Sequence, residues 1–240
     1  MADAQPFRAV RYSGAAGALE DLVAPPYDAV TDEERSVLYT RSPFNVVHVT
    51  LPESPESAAR LYRRWLEDGV LEREREPSAW LLAEDFVGPD GVARERLGVV
   101  LSIRAEPYEA GRVLPHERTH PGIRAERLSL LRALRAQPEP IFLLTDGPLD
   151  LRAPLRPPDA EVAGSRLWRL PDFAARSLER HALLIADGHH RYETGLAYRD
   201  LMRSKTPGYT GDELFNYIMM FFCNLEDEGL VIYPTHRLVH

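Results

Sequence analysis

Cysteine is almost missing from this chain of 240 residues, in which Cys223 stands alone. That excludes an internal disulfide framework and a cysteine-based zinc cluster. Cys223 lies in Met219-Met220-Phe221-Phe222-Cys223, an apolar run that reads as buried strand, so the thiol is expected to pack rather than react. No run of about 18 apolar residues occurs, and residues 1–10 hold no apolar stretch of signal-peptide length. A chain lacking both is expected in the cytoplasm, without a membrane partner. Positive charge is short as well. The formal net charge of −8 argues against broad, sequence-independent nucleic-acid binding, which needs a basic face; it leaves room for a local basic pocket. Internal repeats and low-complexity tracts are absent, as are the Walker glycine-lysine loop and the protein-kinase motif set.

What remains is a globular composition, 44% hydrophobic and 28% charged, long enough for one large domain or two modest ones. The 20 prolines punctuate it. Pro25-Pro26 forces an extended path, and Thr31 with Glu34 forms a capping-box pattern for a helix to about Tyr39. A short strand is expected over Asn45 to Leu51. Between Glu56 and Asp68, Ala58, Leu61, Tyr62, Trp65 and Leu66 recur at helical spacing, and Gly69 suits the residue after the C-cap. Ala79 to Phe86 and Arg94 to Ile103 read as a hairpin across Gly88-Pro89-Asp90-Gly91.

Further along, Leu114 to Gly122 reads as an ordered polar loop. A helix is expected over Ala125 to Ala136, with Leu128, Leu131 and Leu134 inward, then a strand over Pro140 to Thr145. Asp146 to Pro158 reads as loop or linker, Ser165 to Leu170 as strand, and Phe173 to His181 as a short helix. Ala182 to Ala186 is an apolar strand broken by Gly188, and a helix begins near His190 and runs to about Arg203. Phe215 to Leu225 and Leu230 to Leu238 read as two closing strands. The fold class expected is therefore α+β, with mixed sheets, hairpins and interspersed helices rather than a regular βαβ series. The expected division is an N-terminal α+β region at 1–150 and a second region at 151–240, or one continuous domain. Because the chain stops at His240, in or just after an expected strand, a longer parent protein is expected.

The chemistry concentrates in Ile185-Ala186-Asp187-Gly188-His189-His190-Arg191-Tyr192. A strand ends at Asp187, Gly188 permits a tight turn, and a helix starts at once. The first turn of a helix offers free main-chain N–H groups and the positive end of its dipole, which suits an anion. His189, His190 and Arg191 add three cation-capable side chains there. That much positive charge at a helix N-terminus is unfavourable without a counter-anion, so a phosphate is the expected ligand, and arginine supplies a bidentate fork for it. The plainer alternative makes Asp187 an N-cap and the histidines core residues. Adjacent histidines point different ways, so a His-His-Arg metal site is not expected.

This run resembles the central motif of the domain-of-unknown-function 1015 family. Val23-Ala24-Pro25-Pro26-Tyr27-Asp28-Ala29-Val30, Leu114-Pro115-His116-Glu117-Arg118-Thr119, the segments around Arg127-Leu128 and Pro140-Ile141-Phe142, and Pro234-Thr235-His236-Arg237 resemble it too. More loosely, the motif is similar to the phosphate-gripping turn of the ParB and sulfiredoxin superfamily, which implies a ParB/sulfiredoxin-like core. In that comparison Gly188, His190 and Arg191 fall on nucleotide-phosphate positions. His189 stands where sulfiredoxin has its reactive cysteine, which removes sulfinic-acid reduction. The superfamily's free-serine kinases carry an Asp-Gly-His-type motif, and the resemblance implies that chemistry most directly. DNA partitioning of the ParB kind needs a helix-turn-helix domain, of which the sequence shows no sign.

The expected activity is therefore phosphotransfer from ADP or ATP to a hydroxyl metabolite such as serine. Asp187 and Glu117 would position or deprotonate the acceptor or hold Mg2+, with His189, His190 and Arg191 on the transferring phosphate. Tyr27, Asp28, His116, Thr119, His236 and Arg237 are further pocket candidates. A non-catalytic nucleotide-binding module and a phosphatase are the alternatives.

Overall fold

The structure, a computed structural model, describes residues 4–147, 149–173, 178 and 181–232. Eleven strands and six α-helices lie within them. In chain order these are β1 (Ala4–Gln5), β2 (Val10–Tyr12), α1 (Leu19–Leu22), α2 (Asp32–Arg41), α3 (Val47–Thr50), α4 (Pro55–Glu67), β3 (Leu71–Arg73), β4 (Ala79–Val87) and β5 (Ala93–Arg104). Then follow β6 (Val113–Leu114), α5 (Pro121–Leu134), β7 (Ile141–Thr145), β8 (Ala160–Val162), β9 (Ser165–Leu170), β10 (Leu183–Asp187), α6 (His189–Lys205) and β11 (Tyr217–Asn224).

Nine strands form one mixed sheet in the order β6-β10-β7-β11-β5-β4-β9-β8, with β1 added to the end of β5. β2 and β3 pair separately. Strands from both sides of residue 150 alternate in the large sheet, and β10 and β11 insert between earlier ones. The protein is thus a mixed α and β fold built on one large mixed sheet.

Local signals explain many of these elements. Thr31 and Glu34 make the reciprocal capping box at α2, and Ser54 with Ser57 makes a second at α4, satisfying main-chain donors that a helix start leaves open. The β4–β5 hairpin forms in antiparallel register from Trp80↔Val100 to Val87↔Ala93. Alternate residues of the central strands, Leu143, Ile185, Leu101, Met220 and Phe222, point to one face and are fully or almost fully buried, as a period of two requires. Tyr192 of α6 joins that core. Gly195 lets α6 lie close on β11, because a Cβ there would come within 2.5 Å of Ile218 Cδ1. A second cluster packs Trp65 and Ala58 of α4 against Leu130 and Leu134 of α5.

Several expectations need correction. Asn45 to Leu51 is not a strand. Asn45 donates through Nδ2 to the Asp21 and Val23 carbonyls and accepts the Val47 N–H, which turns the chain into the short helix α3 despite its β-branched residues. In α5 the buried leucines are Leu130 and Leu134, whereas Leu128 and Leu131 are half-buried. Its first turn also starts earlier than Ala125, at Pro121. The expected helix at Phe173 to His181 and the strand at Leu230 to Leu238 lie largely outside the described residues. Residues 230–232 carry no regular structure. No helix among the described residues is long and apolar enough to cross a membrane.

Candidate functional site

The parallel pairing of β6 with β10, Val113↔Leu183 and Leu114↔Leu184, brings the two halves of the site together. Parallel strands end at the same edge, so the loop leaving β6 at Pro115 meets the turn leaving β10 at Gly188. Just before that turn the register with β7 shifts by one residue, between Ile185↔Leu143 and Asp187↔Phe142. Such a bulge re-aims the residues that follow it. Gly188 then takes a left-handed conformation, φ 96°, ψ 29°, as the N-cap of α6, a region open mainly to glycine. No side chain caps this helix and no acidic residue sits in its first turn. The main-chain N–H groups at its start are therefore left without the usual protein partners.

The two histidines of the motif turn to different neighbours. His189 is buried; its Nε2 accepts the main-chain N–H of His116 at 3.2 Å, and its Nδ1 lies 3.1 Å from Glu117 Oε1. In the neutral ring the proton must then sit on Nδ1, the nitrogen that lies beside Glu117. Burial pushes the His189 pKa down, opposed by Glu117, so the ring is a neutral donor–acceptor. His116 stands edge-on to it, ring centroids 4.4 Å apart, with Nδ1 donating to the Ile185 carbonyl at 2.7 Å. His190 accepts the His120 N–H on Nε2 at 2.9 Å and stacks over the His120 ring at 6.3 Å. Thr119 Oγ1 donates to Glu193 at 2.5 Å, and Arg124 pairs with the same carboxylate at 3.0 Å. His116, Glu117 and Thr119 thus meet His189, His190 and Glu193, and the 115–120 loop is laced to the first two turns of α6.

Arg191 faces the other way. Its Nη1 donates to the Pro140 carbonyl at 2.6 Å, its Nη2 pairs with Asp187, and its Nε is buried without a partner. Beside it lies a cavity of about 60 Å³, bounded among others by Arg127, Gln137, Glu139, Thr194 and Ile218. Tyr27 belongs to this side. Arg127 lies 3.8 Å above its ring, and its N–H donates to Glu139 at 3.1 Å. Burial raises the Tyr27 pKa, and nearby Asp28 adds to that rise. Asp187 does not cap α6. His236 and Arg237 lie outside the described residues.

Two features escaped the sequence reading. Glu139 is a half-buried carboxyl near Arg191 and Arg127, its pKa raised by desolvation against the pull of both; no local pattern marks it. His116-Glu117-Arg118-Thr119-His120 has the H-E-x-x-H spacing, which on a helix sets two imidazoles on one zinc ion. Here it occupies a loop, so His116 and His120 part and each meets a histidine of α6. Among the described residues, His116, Glu117 and His189 form the one group able to hold a metal, their ligand atoms all within 4.8 Å of one another. Magnesium favours oxygen ligands in near-ideal octahedral geometry. With two imidazoles in the cluster and Asp187 engaged by Arg191, these residues do not fit a magnesium ion held by the protein alone.

The family described as "Protein of unknown function (DUF1015)" matches residues 4–240, and the chain belongs to it. No curated protein and no solved structure matches the chain.

Proposed function

We propose that the Gly188 turn and the start of α6 bind the phosphate of a nucleotide, and that the protein is a small-molecule phosphotransferase using ADP or ATP and a hydroxyl metabolite such as serine. The observation that carries this reading is the bare N-terminus of the 17-residue helix α6 beside the Glu117–His189 pair. Main-chain N–H groups at a helix start, aided by the dipole, suit phosphate oxygens. Phosphoryl transfer asks mainly for positioning and charge neutralisation rather than a covalent nucleophile. In this reading Glu117, half-exposed and 3.1 Å from His189 Nδ1, accepts the proton of the acceptor hydroxyl. Arg191 changes partner from Asp187 to the phosphate. Magnesium arrives with the nucleotide, held largely by its own phosphates. The likeness of Gly188, His190 and Arg191 to the phosphate positions of the ParB and sulfiredoxin superfamily, and a core of that kind, belong to the same proposal.

A second reading, a non-catalytic nucleotide-binding module, is favoured by the acceptor roles of both imidazoles. While His189 and His190 take main-chain N–H groups they bring no positive charge, and binding would rest on main-chain donors and Arg191. The test incubates the protein with ADP or ATP, magnesium and a panel of hydroxyl metabolites, with products read by mass spectrometry. Binding is measured in parallel for the native protein and Arg191→Ala. A phosphorylated product lost in Glu117→Gln supports the enzyme. Binding without turnover supports the module. Free phosphate released from a phosphometabolite without nucleotide points to a phosphatase, and no binding at all removes the phosphate site.

A further inference from the structure

We propose that His116, Glu117 and His189 form a site for a divalent cation of the zinc class, one that prefers imidazole to a full oxygen shell. This goes beyond the phosphotransferase reading and does not rest on it. Two imidazoles and one carboxylate are a donor set for zinc and its first-row neighbours. The geometry is close to that of a filled site. Ligands about 2.0–2.2 Å from one zinc ion stand about 3.0–3.5 Å apart at octahedral to tetrahedral angles, and His189 Nδ1 and Glu117 Oε1 are already 3.1 Å apart. All three ligand atoms fall within 4.8 Å, so closure requires a movement of about 1–2 Å.

The outer partners fit as well. A metal-binding histidine usually donates its second ring nitrogen to a carbonyl or carboxylate, which fixes the tautomer. His116 does this already: Nδ1–H goes to the Ile185 carbonyl at 2.7 Å, leaving the Nε2 lone pair for an ion. His116 and Glu117 are exposed while His189 is buried, so the site has one wall in the core and its remaining coordination positions open to water or substrate.

Occupancy would change the hydrogen bonding of the loop. The ion takes the place of the proton on His189 Nδ1, and the neutral ring then carries its proton on Nε2. That nitrogen now accepts the His116 main-chain N–H. Two N–H groups cannot face each other, so the His116 main-chain N–H must give up that bond while its imidazole stays on the ion. The proton moves from one ring nitrogen to the other, and the ring takes up or releases none overall.

The experiment titrates chelator-stripped full-length protein with Zn2+ by calorimetry and with Co2+ by visible absorption. One equivalent is expected, undisplaced by millimolar Mg2+. Loss of an outer partner typically weakens a metal site about 10–100-fold, so loss of a ligand in His116→Ala or Glu117→Gln should weaken it by about 100-fold or more. His120→Gln, which lies outside the cluster, should bind as the native protein does. Nitrogen-15 spectra should show the His189 proton on Nδ1 before zinc and on Nε2 after it. No stoichiometric binding, unchanged affinity in folded His116→Ala and Glu117→Gln, or a His189 proton that stays on Nδ1 in the zinc-bound form would each overturn the proposal.

Discussion

His120 gives its main-chain N–H to the Nε2 of His190 at 2.9 Å, across 70 residues of sequence. The same arrangement recurs four residues earlier in the loop, where His116 gives its N–H to His189. A loop whose donors end on imidazoles is held only while those imidazoles are neutral at that nitrogen.

Replacing His190 by alanine removes one of these acceptors. The His120 N–H is on the surface and can turn to water, so the stability loss belongs at the low end of the hydrogen-bond range, about 0.5–1 kcal/mol. The larger effect should be local. Amide exchange at residues 116–120 should accelerate, while the central strands keep their protection. His190→Gln, whose side-chain oxygen can also accept, should recover part of that protection. Equal acceleration throughout the sheet would show that the contact serves global stability instead.

The sequence made some of this visible and hid the rest for identifiable reasons. Thr31 with Glu34, Gly69 after α4, and the Gly88–Gly91 hairpin act over a few residues, so their signals are local. So is the strand–Gly188–helix turn. α3 depends on Asn45 reaching carbonyls more than 20 residues away, which no window of residues displays. β6 is two residues long, too short to show a period, yet its pairing with β10 is what sets His116 against His189. Arg191 was legible as a cation at a helix start; its turn toward Pro140 and the Glu139 side was not, because Glu139 carries no local pattern.

Cys223 tests a separate core cluster, in which it packs with Trp80, Val100, Leu144 and Phe221. It is fully buried, and burial pushes its thiol pKa up to about 12, with Asp227 adding to the rise. Reaction requires the thiolate. In the native protein at about pH 8 a thiol-directed disulfide reagent should therefore leave Cys223 unmodified over hours, and modify it at once in denaturant. Stoichiometric labelling of the native state would mean that β11 opens readily.

Glu139 offers a test by pH. Burial raises its pKa in the folded state, so the fold holds this proton more tightly than the unfolded chain does. The resulting stability is fully present below the unfolded carboxyl range and is lost as pH rises through the folded titration. At about pH 7 the buried charge then weighs against the fold, and Glu139→Gln, which keeps an acceptor for the Tyr27 N–H, should be the more stable protein. At about pH 4 the difference should shrink toward zero. Denaturant midpoints at both values check this. A glutamine variant less stable at about pH 7 would show that the Arg191 and Arg127 contacts outweigh desolvation.

Gly188 separates the fold from the proposed phosphate site. Its φ of 96° lies where a side chain is strained by about 1–2 kcal/mol, and an added Cβ would meet Arg191 Nε at 3.0 Å. Gly188→Ala should therefore both lower stability by roughly that amount and displace Arg191. Asparagine tolerates left-handed backbone better than alanine, so Gly188→Asn should recover much of the stability while still crowding the start of α6. Calorimetric titration with ADP distinguishes the two effects. If the turn holds phosphate, both variants lose affinity, whatever their stability. If Gly188→Asn binds ADP as the native protein does, glycine is needed there for the backbone alone and the phosphate must dock elsewhere.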